Sequence, residues 1–250
     1  MEKKVRYYLI DSIRGFAIVN MVLYHLLYDM VYMFGFDMPF FRSEGAFIWE
    51  RIVCSAFILL SGMCWHFSRN SLKRGFVVFL LGWAITLVTA IAVPAFAIWH
   101  GVLKLLGLSM MLLVPLNKLI YKINAGVGIF FSLLLFFLTA NVPNHYIGFG
   151  DIKLLTLPDF LYSNDLLAFL GFKSAGFSST DYFPLLPWFF MFCTGYLLWR
   201  IIKSVNIEKI FTVKVPVLNI IGKHSLVIYI VHQPVVYGVL YLICYIILKR

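Results

Sequence analysis

The feature that most constrains this chain is a series of seven apolar stretches, each long enough to cross a lipid bilayer as a helix. A spanning helix needs about 20 mostly apolar residues at a rise of about 1.5 Å per residue. We therefore predict an all-α fold, a polytopic transmembrane helix bundle of about seven spans, with residues 1–250 forming a single domain. The predicted spans are residues 8–33, 47–67, 75–93, 97–116, 125–142, 184–202 and 219–248.

The composition excludes a soluble protein. Hydrophobic residues make up 62% of the chain and charged residues 13%, whereas soluble chains are roughly 45–50% apolar and about 25% charged. Too little polar surface remains to cover a water-soluble globule. Soluble enzymes, disordered chains and repeat solenoids are therefore excluded, and we expect the lipid bilayer to surround the protein.

The basic residues predict the orientation of the chain. Its 21 Lys and Arg exceed its 11 Asp and Glu, giving a net charge of +10. Because Lys and Arg accumulate in cytoplasmic loops, this excess indicates topology and not nucleic-acid binding. We predict an integral plasma (inner) membrane protein with a cytoplasmic N-terminus, which places thirteen of the 21 basic residues inside. These are Lys3, Lys4, Arg6, Arg69, Lys73, Arg74, Lys118, Lys122, Arg200, Lys203, Lys209, Lys214 and Lys223.

Two regions depart from a simple series of spans. The connection over residues 143–183 is rich in Gly, Pro, Ser and Asp, so we predict a structured outer loop there. The last predicted span is longer than a bilayer needs and is expected to tilt, to kink at Pro234, or to place its first turns at the membrane interface. Seven spans place Lys249 and Arg250 outside, against the basic bias, which leaves the side of the C-terminus open.

The first span carries four ionisable side chains on one face. At 100° per residue, Asp11, Arg14, His25 and Asp29 fall within a stripe of about 60°. Each charge in hydrocarbon costs roughly 3 kcal/mol, so this face must turn away from lipid. The stripe therefore predicts a polar interior cavity. An alternative is that Asp11 and Arg14 only neutralise each other locally, at i and i+3.

His25 is the candidate catalytic base. Asp29 follows one turn later, and a carboxylate there can hold the imidazole in one tautomer and keep it basic. His25 lies about 28 Å along the helix from Arg6, near the outer end of the hydrocarbon core. The alternative is a structural histidine satisfied in the core. Other spans contribute further polar residues, namely Ser61, His66, His100, Lys104, Lys223, His224, Ser225, His232 and Gln233.

Four motifs occur in order along the chain. They are Arg6-Tyr-Tyr-Leu-Ile-Asp11-Ser-Ile-Arg14-Gly15 with Met21-Val-Leu-Tyr-His25, then Phe57-Ile-Leu-Leu-Ser61-Gly62, then Ser179-Thr-Asp181-Tyr182-Phe-Pro184-Leu-Leu-Pro187-Trp188, and finally Gly222-Lys-His224-Ser225-Leu-Val-Ile-Tyr229-Ile-Val-His232-Gln233-Pro234. With these motifs the chain resembles the heparan-alpha-glucosaminide N-acetyltransferase-like family of integral-membrane acyltransferases. The chain departs from the family pattern in the fourth span, where it has Gly101-Val-Leu-Lys104 and family members often have Gly-Ile-Leu-His.

The resemblance implies acetyl transfer across the membrane. The donor would be cytoplasmic acetyl-CoA, acting as co-substrate, and the acceptor an amine or hydroxyl of an extracytoplasmic small molecule or glycan. His25 would act as general base or acetyl carrier, with Asp29 or Asp181 orienting its ring. No metal is expected, because thioester chemistry needs none and the sequence has no metal-ligand cluster. The residues expected to bind acetyl-CoA are Arg6, Asp11, Arg14, Ser61, Lys104, Lys223, His224, Ser225, His232 and Gln233.

Two other functions remain as alternatives from the sequence. A proton-coupled transporter or channel could use the same stripe on the first span, although the chain has no internal repeat and no matched pair of broken helices. A seven-span receptor rests on the number of spans alone. The sequence leaves open the acceptor, N- or O-acetylation, direct transfer or an acetyl-histidine intermediate, and assembly into a homo-oligomer.

Overall fold

The computed structural model describes residues 6–247, most of which lie in helices. The terminal basic residues Lys3, Lys4, Lys249 and Arg250 lie outside the described residues. Short 3-10 segments join several of the helices, and α8 continues into a π-helical turn over Leu242–Ile247. The α-helices are α1 (Tyr8–Tyr32), α2 (Glu44–Cys64), α3 (Ser71–Ala92), α4 (Val102–Ile120), α5 (Ala125–Thr139), α6 (Leu185–Ser204), α7 (Pro216–Lys223) and α8 (Ser225–Tyr241).

The helices confirm the predicted all-α fold. Among residues 6–247, seven helices are long and apolar enough to cross a membrane, and the protein is a multi-pass membrane protein. The last predicted span, 219–248, differs from the structure because it is divided at His224. This residue leaves the helical conformation (φ −101°, ψ 14°), so that α7 ends at Lys223 and the spanning helix begins at Ser225.

The predicted outer loop forms a small hairpin followed by short turns. Strands β1 (Tyr146–Phe149) and β2 (Ile152–Thr156) pair antiparallel. Gly150 lies at the tip of the hairpin with φ +52°, a left-handed conformation that glycine adopts without steric cost. Two 3-10 segments, Asp159–Tyr162 and Asp165–Leu170, then lead toward α6.

The helices are grouped in two compact units. Of the described residues, the terminal unit contains those up to Phe57 and those from Val205 onward, and the central unit contains Ile58–Ser204. In the terminal unit, α1 packs against α7 and α8. In the central unit, α3 packs against α4 and α5 packs against α6.

Helices α1 and α7 approach each other closely. A Cβ atom on Gly222 would clash with the carbonyl oxygen of Asp11, and one on Gly15 would clash with that of Leu218. Small residues of this kind let two helix backbones pack closely in a membrane. The buried Asn219 adds a hydrogen bond of 3.2 Å from Nδ2 to the carbonyl of Tyr8. The start of α1 is thereby fixed against α7.

Candidate functional site

Asp11 binds two guanidinium groups at the start of α1. Its Oδ2 accepts a hydrogen bond from Arg6 Nη2 at 2.9 Å, and its Oδ1 lies 3.3 Å from Arg14 Nη1. Arg14 Nη1 also donates to the carbonyl of Gly222 at 3.3 Å. Because carbonyls at the end of a helix carry partial negative charge, this contact stabilises the guanidinium. The local Asp11–Arg14 pair is therefore formed, and it also connects α1 to α7.

The same end of the terminal unit carries further basic groups. Lys223 and His224 are exposed where α7 ends, and the ammonium of Lys214 lies 5.3 Å from the ring centroid of Tyr8. Ser225 is buried at the first position of α8. Arg6 and Arg14 add two guanidinium groups to this end, where the carboxylate of Asp11 lies between them. Such a surface attracts phosphate groups.

Farther along α1, His25 contacts His232 of α8. The ring centroids of His25 and His232 lie 4.9 Å apart, with an interplanar angle of 55°. His232 Nδ1 is 2.7 Å from the carbonyl oxygen of Tyr229. A carbonyl can only accept, so Nδ1 carries a proton, and in the neutral form of the ring the lone pair lies on Nε2. Nε2 is buried and has no hydrogen-bond partner within residues 6–247.

Each of the two histidines is followed by a polar residue on the same helix: Asp29 comes one turn after His25, and Gln233 comes directly after His232. Asp29 is 0% exposed, and its Oδ1 and Oδ2 lie 3.1 and 3.4 Å from the donating Nε2 of Gln233. Helix α1 thus contributes His25 and Asp29, whereas α8 contributes His232 and Gln233. In the described part of the chain, the hydrogen bonds of the Asp29 side chain run to Gln233. Orientation of the His25 ring by Asp29 stays a prediction.

Asp181 lies in the central unit, where it caps a helix. Its Oδ2 accepts a hydrogen bond of 3.2 Å from the backbone N–H of Val102, in the first turn of α4. The first backbone N–H groups of a helix have no partner within it, so this contact stabilises the start of α4. The role of Asp181 toward His25, which belongs to the terminal unit, also stays a prediction.

Lys104 is buried in the central unit, with 5% of its surface exposed. Its Nζ donates to the carbonyl of Trp99 at 2.7 Å and lies 3.4 Å from the ring centroid of Trp83. Gly82 makes room for the lysine stem, because a Cβ there would lie 2.7 Å from Lys104 Cγ. The sequence indicated that Lys104 needs a partner, but no motif marks the two tryptophans that surround it.

His100 comes just before α4, outside the membrane-spanning helices. Its ring stacks on that of Phe177, with centroids 5.7 Å apart and an interplanar angle of 23°. Burial, with a further contribution from the positive charge of Lys104, lowers the pKa of His100 to about 4. The imidazole is therefore neutral at physiological pH and can both donate and accept a hydrogen bond.

The remaining candidates lie on α2 and the turn that follows it. Ser61 is half-buried in the central unit. His66 stacks on Tyr196 of α6, with centroids 4.4 Å apart, and its Nε2 lies 3.0 Å from the Tyr196 carbonyl. His66 therefore connects α2 with α6. Within residues 6–247, no group of three or more His, Cys, Asp or Glu side chains could hold a metal ion.

Comparison with known families identifies the chain at the level of a family. Residues 6–234 match the family described as heparan-alpha-glucosaminide N-acetyltransferase, catalytic. The matched region contains the stripe on α1 and both residues of the His232–Gln233 pair. No curated protein and no solved structure matches the chain. The predicted resemblance is thus confirmed, and the chain belongs to the heparan-alpha-glucosaminide N-acetyltransferase catalytic family of membrane enzymes.

Proposed function

We propose that this protein moves an acetyl group from cytoplasmic acetyl-CoA to an amine or hydroxyl of a saccharide-like acceptor on the far side of the plasma (inner) membrane. Both compact units would form one acyltransferase domain. Family membership supports acetyl transfer as the reaction. The observation that carries the proposal for this chain is the contact between His25 and His232, directly beside the buried Asp29–Gln233 hydrogen bond.

The donor would bind at the basic end of the terminal unit. Acetyl-CoA carries phosphates and a long flexible pantetheine arm. Arg6, Arg14 and Lys223 supply positive charge around the start of α1 and the end of α7, and His224 is exposed next to Lys223. Asp11 holds the two guanidinium groups in place, since it contacts both. The arm would extend along α1 toward His25, which lies about 16 Å from Arg14 at helical rise.

His25 would accept the proton that the acceptor loses. As the acceptor oxygen or nitrogen bonds to the acetyl carbonyl carbon, the carbon–sulfur bond of the thioester breaks and the proton on His25 passes to the departing thiolate. In the two-step alternative, an imidazole nitrogen of His25 takes the acetyl group first and then gives it to the acceptor. Both routes yield the acetylated acceptor and free CoA.

His232 would act as a positioning residue for His25. Its Nδ1 is committed to the Tyr229 carbonyl, which fixes its tautomer and its ring orientation. The ring packs against His25 and leaves the lone pair of Nε2 inside a buried region. Gln233 keeps Asp29 in a hydrogen bond beside this pair. We therefore propose that the His232–Gln233 segment orders the catalytic end of α1.

The proton-coupled transporter gains no support from a specific observation. Arg14 and His25 are separated by about 16 Å of helix. The polar residue between them, Asn20, donates to the carbonyl of Phe16 and accepts from Trp49 Nε1 at 3.2 Å. It is thus engaged in structural hydrogen bonds.

The proposal is tested with purified protein and the His25→Ala variant, by measuring CoA thiol release from acetyl-CoA with glucosamine as the acceptor probe. We expect His25→Ala to lose transfer but to keep the thermal stabilisation by acetyl-CoA, because the basic end that would bind the donor is untouched. His145→Asn is the matched control: it removes a partly exposed histidine of the hairpin region with φ +69°, a conformation that asparagine tolerates. Near-normal turnover in His25→Ala would contradict the proposal. So would the absence of any thermal shift with millimolar acetyl-CoA and with CoA.

A further inference from the structure

The hairpin that follows α5 exposes several large apolar side chains. All five residues of β2 are exposed, and Ile152, Leu154 and Leu155 keep 65%, 61% and 58% of their surface accessible. Phe149, at the end of β1, and Phe160, in the next 3-10 segment, are exposed as well. We call these five residues the hairpin surface. Contact of so many apolar side chains with water is unfavourable, so we expect a partner to cover this surface.

Hydrogen bonds hold the hairpin at the end of a spanning segment. Asn141 lies near the end of the apolar segment Ala125–Asn144, which is long enough to cross a bilayer. Its backbone carbonyl accepts from the N–H of Tyr146 at 3.4 Å, where β1 begins. Its side-chain Nδ2 donates to the carbonyl of Gly150 at 3.1 Å, at the hairpin tip. Because one residue binds both the start of β1 and the tip, the hairpin lies across the end of α5 and does not extend away from it.

The 3-10 segment that carries Phe160 is fixed at the same place. The hydroxyl of Tyr162 donates to the carbonyl of Val142, and the Tyr162 ring stacks on that of His145 with centroids 3.7 Å apart. His145 Nδ1 lies 3.5 Å from Oδ1 of Asp159, the residue before Phe160. Both parts of the hairpin surface thus lie beside the end of the spanning segment.

This level corresponds to the boundary between hydrocarbon and hydrated head groups. The segment Ala125–Asn144 has 20 residues, and a helix of that length spans about 30 Å, which matches the thickness of the hydrocarbon core. Apolar side chains beside the end of such a segment can enter the boundary of head groups and acyl chains, as those of interfacial helices do. The position of the hairpin surface therefore favours lipid as its partner.

The edge of the hairpin also favours lipid over a second copy of the chain. Within residues 6–247 the sheet has two strands, so no further strand pairs with the outer edge of β2. Lys153 lies in this edge strand, and a charged residue there, above all lysine, disfavours edge-to-edge pairing. The same lysine can extend its ammonium to lipid phosphates while its stem lies among apolar groups. The unpaired backbone groups of the edge limit the depth of insertion, because they need water or head groups as partners.

We propose that the hairpin surface anchors the outer loop to the bilayer by inserting into the interfacial region of the leaflet beside the end of α5. In the predicted orientation this is the outer leaflet. The ammonium of Lys153 contacts lipid phosphates at the same depth. The anchor is independent of acetyl transfer, since it uses neither His25 nor the basic end of the terminal unit.

The test uses the full-length protein in liposomes of phosphatidylcholine and phosphatidylglycerol, with a nitroxide label attached through Ile152→Cys or Leu154→Cys. EPR power saturation compares collisions of the label with oxygen, which concentrates in the bilayer, and with a water-soluble nickel chelate. Phe130→Cys, at an exposed position within the span of α5, gives the ratio for lipid. Ala175→Cys, exposed in a later part of the outer loop, is the matched control for water.

We expect the oxygen-to-nickel collision ratio at both hairpin positions to exceed that of Ala175→Cys and to approach that of Phe130→Cys. The unsubstituted protein, labelled in the same way, gives the background from Cys54, which is half-buried. Because Ile152 and Leu154 are both exposed, cysteine removes little packing at either position, and each variant repeats the measurement of the other.

A collision ratio at the hairpin positions equal to that of Ala175→Cys would overturn the inference. Exclusion of both oxygen and the nickel chelate from the label would overturn it as well, because a protein surface would then cover the hairpin. Spin–spin broadening that increases with the protein-to-lipid ratio would in that case identify the covering surface as a second copy of the chain.

Discussion

The hydrogen bond between Gln233 and Asp29 gives a measurable contribution to the packing of α1 against α8. Gln233→Leu removes the amide that lies 3.1 and 3.4 Å from the two carboxylate oxygens. Asp29 is 0% exposed, so water cannot replace the lost donor. Hydrogen bonds to charged groups contribute about 1.5–3 kcal/mol, and an unsatisfied buried acceptor costs about 1–3 kcal/mol. We therefore expect Gln233→Leu to lower the free energy of unfolding by about 2 kcal/mol.

A double-mutant cycle with Asp29→Asn measures this pair directly. In the Asp29→Asn background the carboxylate that Gln233 contacts is gone, so Gln233→Leu should cost less, with a coupling energy of about 1 kcal/mol or more. Denaturant unfolding in detergent micelles gives the four free energies. Val235→Leu, an exposed position on the same helix, should change stability by no more than about 0.5 kcal/mol. A smaller cost for Gln233→Leu than for this control, or additive effects of the two substitutions without coupling, would show that the hydrogen bond contributes nothing to the packing of α1 against α8.

Three further predictions concern other parts of the fold. Gly222→Ala should destabilise the terminal unit by about 1–3 kcal/mol, because its Cβ would clash with the Asp11 carbonyl. Gly238→Ala is the control, since a Cβ there meets open space and should not destabilise the protein. Unfolding temperatures compare the two variants, and equal effects would contradict the close approach of α1 and α7. His100 has a pKa lowered to about 4 by burial, so stability should be lost as pH falls from about 6.5 toward 4, where the unfolded chain binds a proton that the folded chain resists. Melting temperatures at pH 7.5 and 4.5 should differ less in His100→Gln than in the wild type, and an unchanged difference would argue against this sign. Arg200→Met should lower the free energy of unfolding by about 2 kcal/mol, because the guanidinium donates to three carbonyls at and just after the end of α4, at 2.9, 3.0 and 3.2 Å. A loss of stability no larger than that of Lys203→Met, on the same helix, would contradict this prediction.

The spanning helices could be predicted because hydrophobicity is a local signal. The first predicted span, 8–33, corresponds closely to α1 at Tyr8–Tyr32. The break at His224 was not predicted, since neither Gly nor Pro occupies that position. It separates α7, which packs on the start of α1, from the spanning helix α8. Its position depends on long-range packing that hydropathy alone does not reveal.

The candidate site could be predicted only where its residues share one helix. Asp11 and Arg14 are paired, as their i and i+3 spacing allowed. Asp29 instead has a hydrogen-bond partner 204 residues away, in Gln233. The motif that contains His232 predicts acetyl-CoA binding, but the contact of His232 with His25 depends on how α1 and α8 pack. A single sequence contains no direct signal for such pairings.

We propose that His25 supports acetyl transfer from one side of the membrane to the other. The most direct test uses sealed proteoliposomes of uniform orientation, with labelled acetyl-CoA on the side of the N-terminus and glucosamine or glucuronate on the opposite side. We expect labelled acetylated product in the compartment that received no acetyl-CoA, and its loss in His25→Ala. Product confined to the acetyl-CoA side, or equal product in His25→Ala, would rule out His25-dependent transfer across the membrane.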